Sequence, residues 1–122
     1  MAVSNPDNVL ASSDVFAELA PDVLRALEQS GRHRVYRPRE TLFQKGDSSD
    51  FLVAILQGCV RVVVYSVEGR EIVLNIIEPG QVVGEIGMLD HKGRTADAVA
   101  IDDVEALVID RAAVKRVLMQ HP

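Results

Sequence analysis

From Arg32 to Ile109 the apolar residues of this chain come in short runs, each stopped by Gly, Pro or Asp before it reaches ordinary helix length. The runs are Arg34–Arg37, Thr41–Gln44, Phe51–Leu56, Val60–Val67, Glu71–Ile77, Ala98–Ile101 and Val104–Ile109. Between them lie Arg37-Pro38-Arg39, Lys45-Gly46-Asp47-Ser48-Ser49-Asp50, Gln57-Gly58, Glu68-Gly69, Glu78-Pro79-Gly80 and Asp102-Asp103. Short β-rich runs with turn residues in every gap predict a sandwich, barrel or jelly-roll. The strongest hairpin signal is Glu68-Gly69, which joins Val60–Val67 to Glu71–Ile77. There Val60, Val62 and Val64 alternate with Arg61, Val63 and Tyr65, and Ile72, Leu74 and Ile76 with Val73, Asn75 and Ile77. Both strands are so nearly apolar that both of their faces are expected to be covered.

Helical spacing lies outside this stretch. Ser12-Ser13-Asp14 offers capping oxygens ahead of Val15, Phe16 and Leu19. Pro21 and Asp22 suit the first turn of a longer helix at about 21–30, with Val23, Leu24 and Leu27 along one face. Gly31 is expected to end it. Asp110 reads as the cap of a last helix carrying Val114, Val117 and Leu118 on one face. The chain divides into a flexible lead-in, residues 1–13, and one domain, residues 14–122. At 122 residues it is long enough for a single core and too short for two.

Bulk chemistry removes several classes of function. The net charge is −5 and no basic run or RNA-type aromatic motif occurs, which disfavours direct nucleic-acid contact by this chain. Cys59 is the only cysteine, so an internal disulfide or a thiolate cage is excluded; it reads as a small core residue. No apolar run nears the roughly 18 residues of a membrane span, and Met1-Ala2-Val3-Ser4 lacks the parts of a signal peptide, so cytoplasm is the default. His33, His91 and His121 show no H-x-H or H-x-x-x-H spacing, and no Ser-His-Asp motif is visible. Neither a metal site nor catalysis is expected.

The stretch with chemistry of its own is Val83 to Ala98, VGEIGMLDHKGRTADA. Gly84 lets the backbone approach a ligand, and the first turn of a short helix after it would present N–H groups that favour an anion. Arg94 supplies a planar, permanently charged fork for phosphate oxygens. Glu85 only accepts hydrogen bonds, which suits hydroxyl groups. Anion nest, cationic clamp and hydroxyl acceptor together fit a sugar phosphate. A surface Glu–Arg pair among ordinary turn glycines would show the same residue types.

The order G-E-I-G-M-L, a short loop, then R-T-A resembles the phosphate-binding cassette of cyclic-nucleotide-binding domains, and most nearly the sensor domain of bacterial CRP/FNR (catabolite-activator) regulators. The likeness extends upstream through Glu40-Thr41-Leu42-Phe43, Gly46-Asp47 and the Gly58 turn, over roughly residues 14–121. It implies a mainly β fold with flanking helices, an antiparallel β-roll or double-stranded β-helix of jelly-roll type. By this resemblance Glu85 would accept from the ribose 2′-OH and Arg94 would pair with the exocyclic phosphate oxygens. Backbone N–H groups of Ile86 and Gly87 would complete the nest, Thr95 would add a hydroxyl, Gly84 the close approach and Ala96 a small floor. Val62 and Leu74 would stand on the inner wall near sugar and base, although on pattern alone both are core residues. Val83 replaces the family's frequent aromatic residue on that wall, and Gly93 its frequent proline; neither change removes a ligand atom.

The resemblance implies a cyclic-nucleotide sensor without cofactor or catalysis, with cAMP favoured over cGMP, controlling a transcription regulator. In proteins of this kind a dimerising helix and a DNA-binding domain follow. The expectation is therefore a sensor fragment of a homodimeric protein that meets DNA through a further C-terminal domain. The same module serves kinases, channels and acyltransferases, and a ligand-free interaction domain of this fold is the other alternative.

Overall fold

The computed structural model describes residues 19–84 and 93–120. Helix α1 (Pro21–Gln29) is followed by β1 (Arg32–Tyr36), β2 (Thr41–Phe43), β3 (Phe51–Gln57), β4 (Val60–Tyr65), β5 (Glu71–Ile77), β6 (Val82–Val83), β7 (Asp97–Ala100), β8 (Val104–Asp110) and helix α2 (Arg111–Gln120). The strands form two four-stranded sheets in the orders β1-β8-β3-β6 and β2-β7-β4-β5. Every pairing between them is antiparallel. This is the mainly β, jelly-roll-like architecture expected from the punctuated runs. The segment before Leu19 lies outside the described residues, so the first, short helix expected there is not among the elements above.

Alternation along β3 and β8 fills both faces of the first sheet with buried apolar side chains, so the one domain carries two clusters where a single core was expected. Leu52, Ala54 and Leu56 of β3 and Leu107 and Ile109 of β8 pack against α1 and α2 through Leu24, Leu27, Val114 and Val117. The intervening Val53, Ile55, Ala106 and Val108 turn inward, toward Phe43, Val60, Ala98 and Ala100 of the second sheet. A strand covered on both faces has no polar side to show. That is why Phe51–Leu56 reads as an unbroken apolar run.

The same rule does not hold for the β4–β5 hairpin, where double coverage was expected. β5 is the edge strand of its sheet, and Ile72, Val73, Leu74 and Ile76 are exposed, Leu74 by 58%. Its register against β4 shifts between Val62 and Val63: Val62 lies opposite Asn75 and Val63 opposite Val73, which leaves Leu74 as the extra residue of a bulge. Leu74 is therefore not a core residue. The strand also stops at Tyr65, short of Val67. Ser66 takes over as the turn residue, its N–H donating to the Arg70 carbonyl at 2.9 Å, and Val67 is fully exposed. In α2 the buried face is Ala113, Val114 and Val117, with Leu118 at its margin and 40% exposed.

Two further departures bear on packing. β6 is only two residues long, below the length at which a period can be recognised. It is placed by the Pro79-Gly80 turn, where the Gly80 N–H donates to Ile55 O at 2.8 Å and the Ile55 N–H to Gln81 O at 2.9 Å. Gly31 does not end α1 by a left-handed turn. Ser30 (φ −79°, ψ −9°) closes the helix, and its hydroxyl donates to Leu27 O at 2.6 Å. The glycine serves packing instead: a Cβ at position 31 would stand 2.7 Å from Leu107 Cγ and 3.0 Å from Ile109 Cγ1.

Leu107 and Ile109 are 2% and 0% exposed, so neither has room to retreat. Gly31→Ala is expected to overpack this contact and cost about 1–3 kcal/mol in urea denaturation. Leu107→Ala, which opens the space, is expected to make the double variant less destabilised than the sum of the two single changes. Simple additivity would show that α1 and β8 do not meet at this point.

Candidate functional site

The inner face of the roll ends in a cation. Arg94 leads into β7, and its side chain folds back beneath the strand ends until it is only 5% exposed. Taking a guanidinium out of water costs several kcal/mol unless donors and charge are compensated. Nη1 donates to the Gly84 carbonyl at 2.6 Å and Nη2 to the Phe51 carbonyl. The guanidinium carbon lies 4.1 Å from the ring centre of Phe43 and 5.2 Å from that of Phe51. The two rings stand edge to face, 6.3 Å apart. A cation over desolvated aromatic faces gains about 1–2 kcal/mol, and the planar fork suits two carbonyls as a lysine would not.

Backbone contacts fix where this side chain starts. The Arg94 N–H donates to Asp47 O and the Gly46 N–H to Arg94 O, both at 2.8 Å. The Asp47 carboxylate accepts from the Gln44 N–H at 2.9 Å, and the Asp97 carboxylate accepts from the Lys45 N–H at 2.7 Å. The Lys45–Asp50 loop is thus laced to the strand that carries Arg94. Gly84 completes the seat. Its φ is +91°, and a Cβ there would lie 2.7 Å from Arg94 Nη1, so the close approach that glycine permits is first of all to the arginine.

The other expected site residues separate into three groups. Val83 is buried, and Val62 packs partly buried against the same inner core that holds Phe43. Ala96 is buried and Thr95 exposed. Leu74 stands at the exposed bulge of the hairpin. Glu85, Ile86 and Gly87 lie outside the described residues. Phe43, Phe51 and Asp47 had no assigned role in the sequence, yet they hold the arginine. Phe43 and Gly46-Asp47 lay within the upstream part of the resemblance, which was the available signal; Phe51 gave none beyond opening an apolar run.

Cys59 is partly exposed and not the core residue expected, and burial, then Asp102 and Glu78, push its thiol above the usual range. His33 faces Glu105 at 3.6 Å on the exposed edge of β1. His91 and His121 lie outside the described residues. Among the described residues no cluster of His, Cys, Asp and Glu could hold a metal ion, and no helix is long and apolar enough to cross a membrane.

Gly84→Ala is expected to lose about 1–3 kcal/mol, because a left-handed backbone strain adds to displacement of the guanidinium. A urea midpoint equal to that of the unaltered chain would mean that the arginine is not seated there.

Comparison with known proteins follows the same lines. A CRP-like cAMP-activated global transcriptional regulator of Mycobacterium tuberculosis is 29% identical over 116 residues, which is 95% of this chain and 52% of that protein. The acetyltransferase Pat of Mycolicibacterium smegmatis is 35% identical over 109 residues, 89% of this chain and 32% of the enzyme. This chain therefore spans about half or less of the length of these curated relatives. Among solved structures, the N-terminal domain of a transcriptional regulator from Streptomyces coelicolor superposes with a TM-score of 0.86 at 29% identity, covering 93% of this chain and 80% of that one. The model of the cyclic nucleotide-binding domain matches residues 33–121, and the chain belongs to that family.

Proposed function

We propose that this domain senses cAMP, in preference to cGMP, and passes the bound state to a transcriptional output module in a homodimeric protein. The observation that carries the reading is Arg94: a guanidinium 5% exposed, aimed by two carbonyls and two phenyl rings at the inner end of the roll. A guanidinium so placed supplies the charge and planar fork that suit a phosphate oxygen pair, which would compete with the two carbonyls for its η nitrogens. Glu85 then accepts from the ribose 2′-OH, which is free only when the phosphate bridges the 3′ and 5′ oxygens. The N–H groups of Ile86 and Gly87 and the Thr95 hydroxyl surround the phosphate, and Val62, Val83 and Ala96 bound the sugar. Leu74, exposed on the hairpin, reaches the base only if the hairpin closes over it.

Support for a transcriptional output comes from the mycobacterial regulator and the Streptomyces sensor domain. Likeness to the acetyltransferase favours a second reading, in which the same sensor regulates an attached enzyme. In both readings the domain itself binds and does not catalyse.

Calorimetric titration with cAMP, cGMP and 5′-AMP tests the site. cAMP is expected to bind more tightly than cGMP, and the linear nucleotide to bind at least tenfold more weakly than either. Arg94→Ala is expected to weaken cAMP by at least tenfold, since a buried charge-assisted bond contributes about 1.5–3 kcal/mol and each tenfold is about 1.4. Equal affinities for cAMP and 5′-AMP, or an Arg94→Ala variant with wild-type affinity, would overturn the reading.

A further inference from the structure

Arg94 is not the only arginine that grips the start of β3. Arg111, the first residue of α2, donates its N–H to Asp50 O at 2.7 Å and its Nη2 to Ser49 O at 2.6 Å. Its Nη1 lies 3.9 Å from the Asp50 carboxylate. Arg94 Nη2 takes the next carbonyl along, that of Phe51. Three consecutive main-chain carbonyls, Ser49, Asp50 and Phe51, are therefore held by two arginines, one just ahead of β7 and one opening α2. Strand register makes the link short: Phe51 lies opposite Asp110, the residue immediately before α2. Ser49 is 2% exposed and Phe51 partly buried, while the Asp50 side chain between them faces solvent, so the Ser49 end of the tripeptide is held by packing as well as by hydrogen bonds.

We propose that Arg111 is a positioning residue for the anion site, acting through Ser49–Asp50–Phe51 on Arg94, and that the tripeptide carries the occupancy of Arg94 to the first turn of α2. The inference rests on the reading of Arg94 as the phosphate ligand. In this structure Phe51 O and Gly84 O each hold one η nitrogen, the two nitrogens that a bidentate phosphate would also engage. A phosphate that draws the guanidinium toward itself weakens its bond to Phe51 O. The Arg111 guanidinium, by fixing Ser49 O, keeps the nearby Phe51 O in place to compete. Linkage then sets the sign. Whatever loosens the grip of Arg111 strengthens anion binding, and anion binding loosens the first turn of α2 by the same factor.

Two measurements on the intact chain test this. The first needs no ligand: urea unfolding of Arg94→Ala, Arg111→Ala and the double variant. The arginines touch the same tripeptide and share no contact in which one donates to the other, so an unlinked pair would multiply. We expect the double variant's unfolding constant to differ at least threefold from the product of the single changes. The second is calorimetric titration with cAMP together with amide exchange. Arg111→Ala is expected to bind cAMP at least threefold more tightly, Arg111→Lys to fall between it and wild type, and the Arg111 amide of wild type to exchange at least fivefold faster when cAMP saturates. Multiplicative unfolding constants overturn the proposal, as does a cAMP affinity of Arg111→Ala equal to or weaker than wild type. If Arg111→Ala does not fold, Arg111→Lys decides by the same criteria. A wild-type chain that binds no cyclic nucleotide defeats the reading of the site instead, and the unfolding cycle alone then decides whether the two arginines are linked.

Discussion

A guanidinium enclosed by main-chain carbonyls and aromatic faces is the constraint to which the rest of this fold answers. Removing that charge from water is tolerable only while its donors are met. The acceptors are Gly84, which opens the G-E-I-G-M-L run, and the first residue of β3, Phe51. The aromatic faces are Phe43, at the end of β2, and Phe51 again. Strands from both sheets must therefore end in register within a few ångströms of one another, although they are far apart in the chain. The two-residue β6 has its purpose here: paired to Val53 and Ala54, it brings Gly84 to the mouth of the roll.

How much of this could be read in the residues differs from element to element, for physical reasons. β3 and β8 were legible because both of their faces are buried, and continuous apolar runs follow from that directly. The apolar run of β5 invited the same interpretation and did not deserve it. Edge position and a bulge at Leu74 leave Ile72, Val73, Leu74 and Ile76 exposed, and no one-dimensional pattern separates an apolar edge from an apolar centre. Gly31 was legible as a helix boundary but not as a packing contact, since its reason lies in Leu107, distant in sequence. Arg94 stood out in the sequence as a cation beside a glycine turn, and the structure shows it buried there. Its carbonyl acceptors did not stand out, because main-chain oxygens leave no mark on residue identity.

The same comparison explains what kind of site this is. An arginine already seated on carbonyls and rings offers a fixed charge with a set direction, which stabilises a bound anion in its ground state. Catalysis requires groups that interact more strongly with a transition state than with the bound substrate. Among the described residues, the groups shown against the Arg94 guanidinium are main-chain carbonyls and phenyl rings. A binding module of this type can be attached to different outputs, which agrees with its recurrence in a transcriptional regulator and in an acetyltransferase.

For a binding module to act at a distance, its ligand must distinguish two arrangements of the same chain. The first sheet is well placed to convert one into the other, because it is a single layer with the roll on one face and both helices on the other. Val53 and Ile55 look inward while Leu52, Ala54 and Leu56 meet the helices, so a displacement of β3 is felt on both sides at once. Close packing makes such a layer switch between discrete positions in preference to bending. Strand β3 begins at the residue whose carbonyl Arg94 holds, and that residue lies opposite the junction between β8 and α2. Under the proposed reading, a ligand that competes for the guanidinium would act at one end of the layer on which α2 rests.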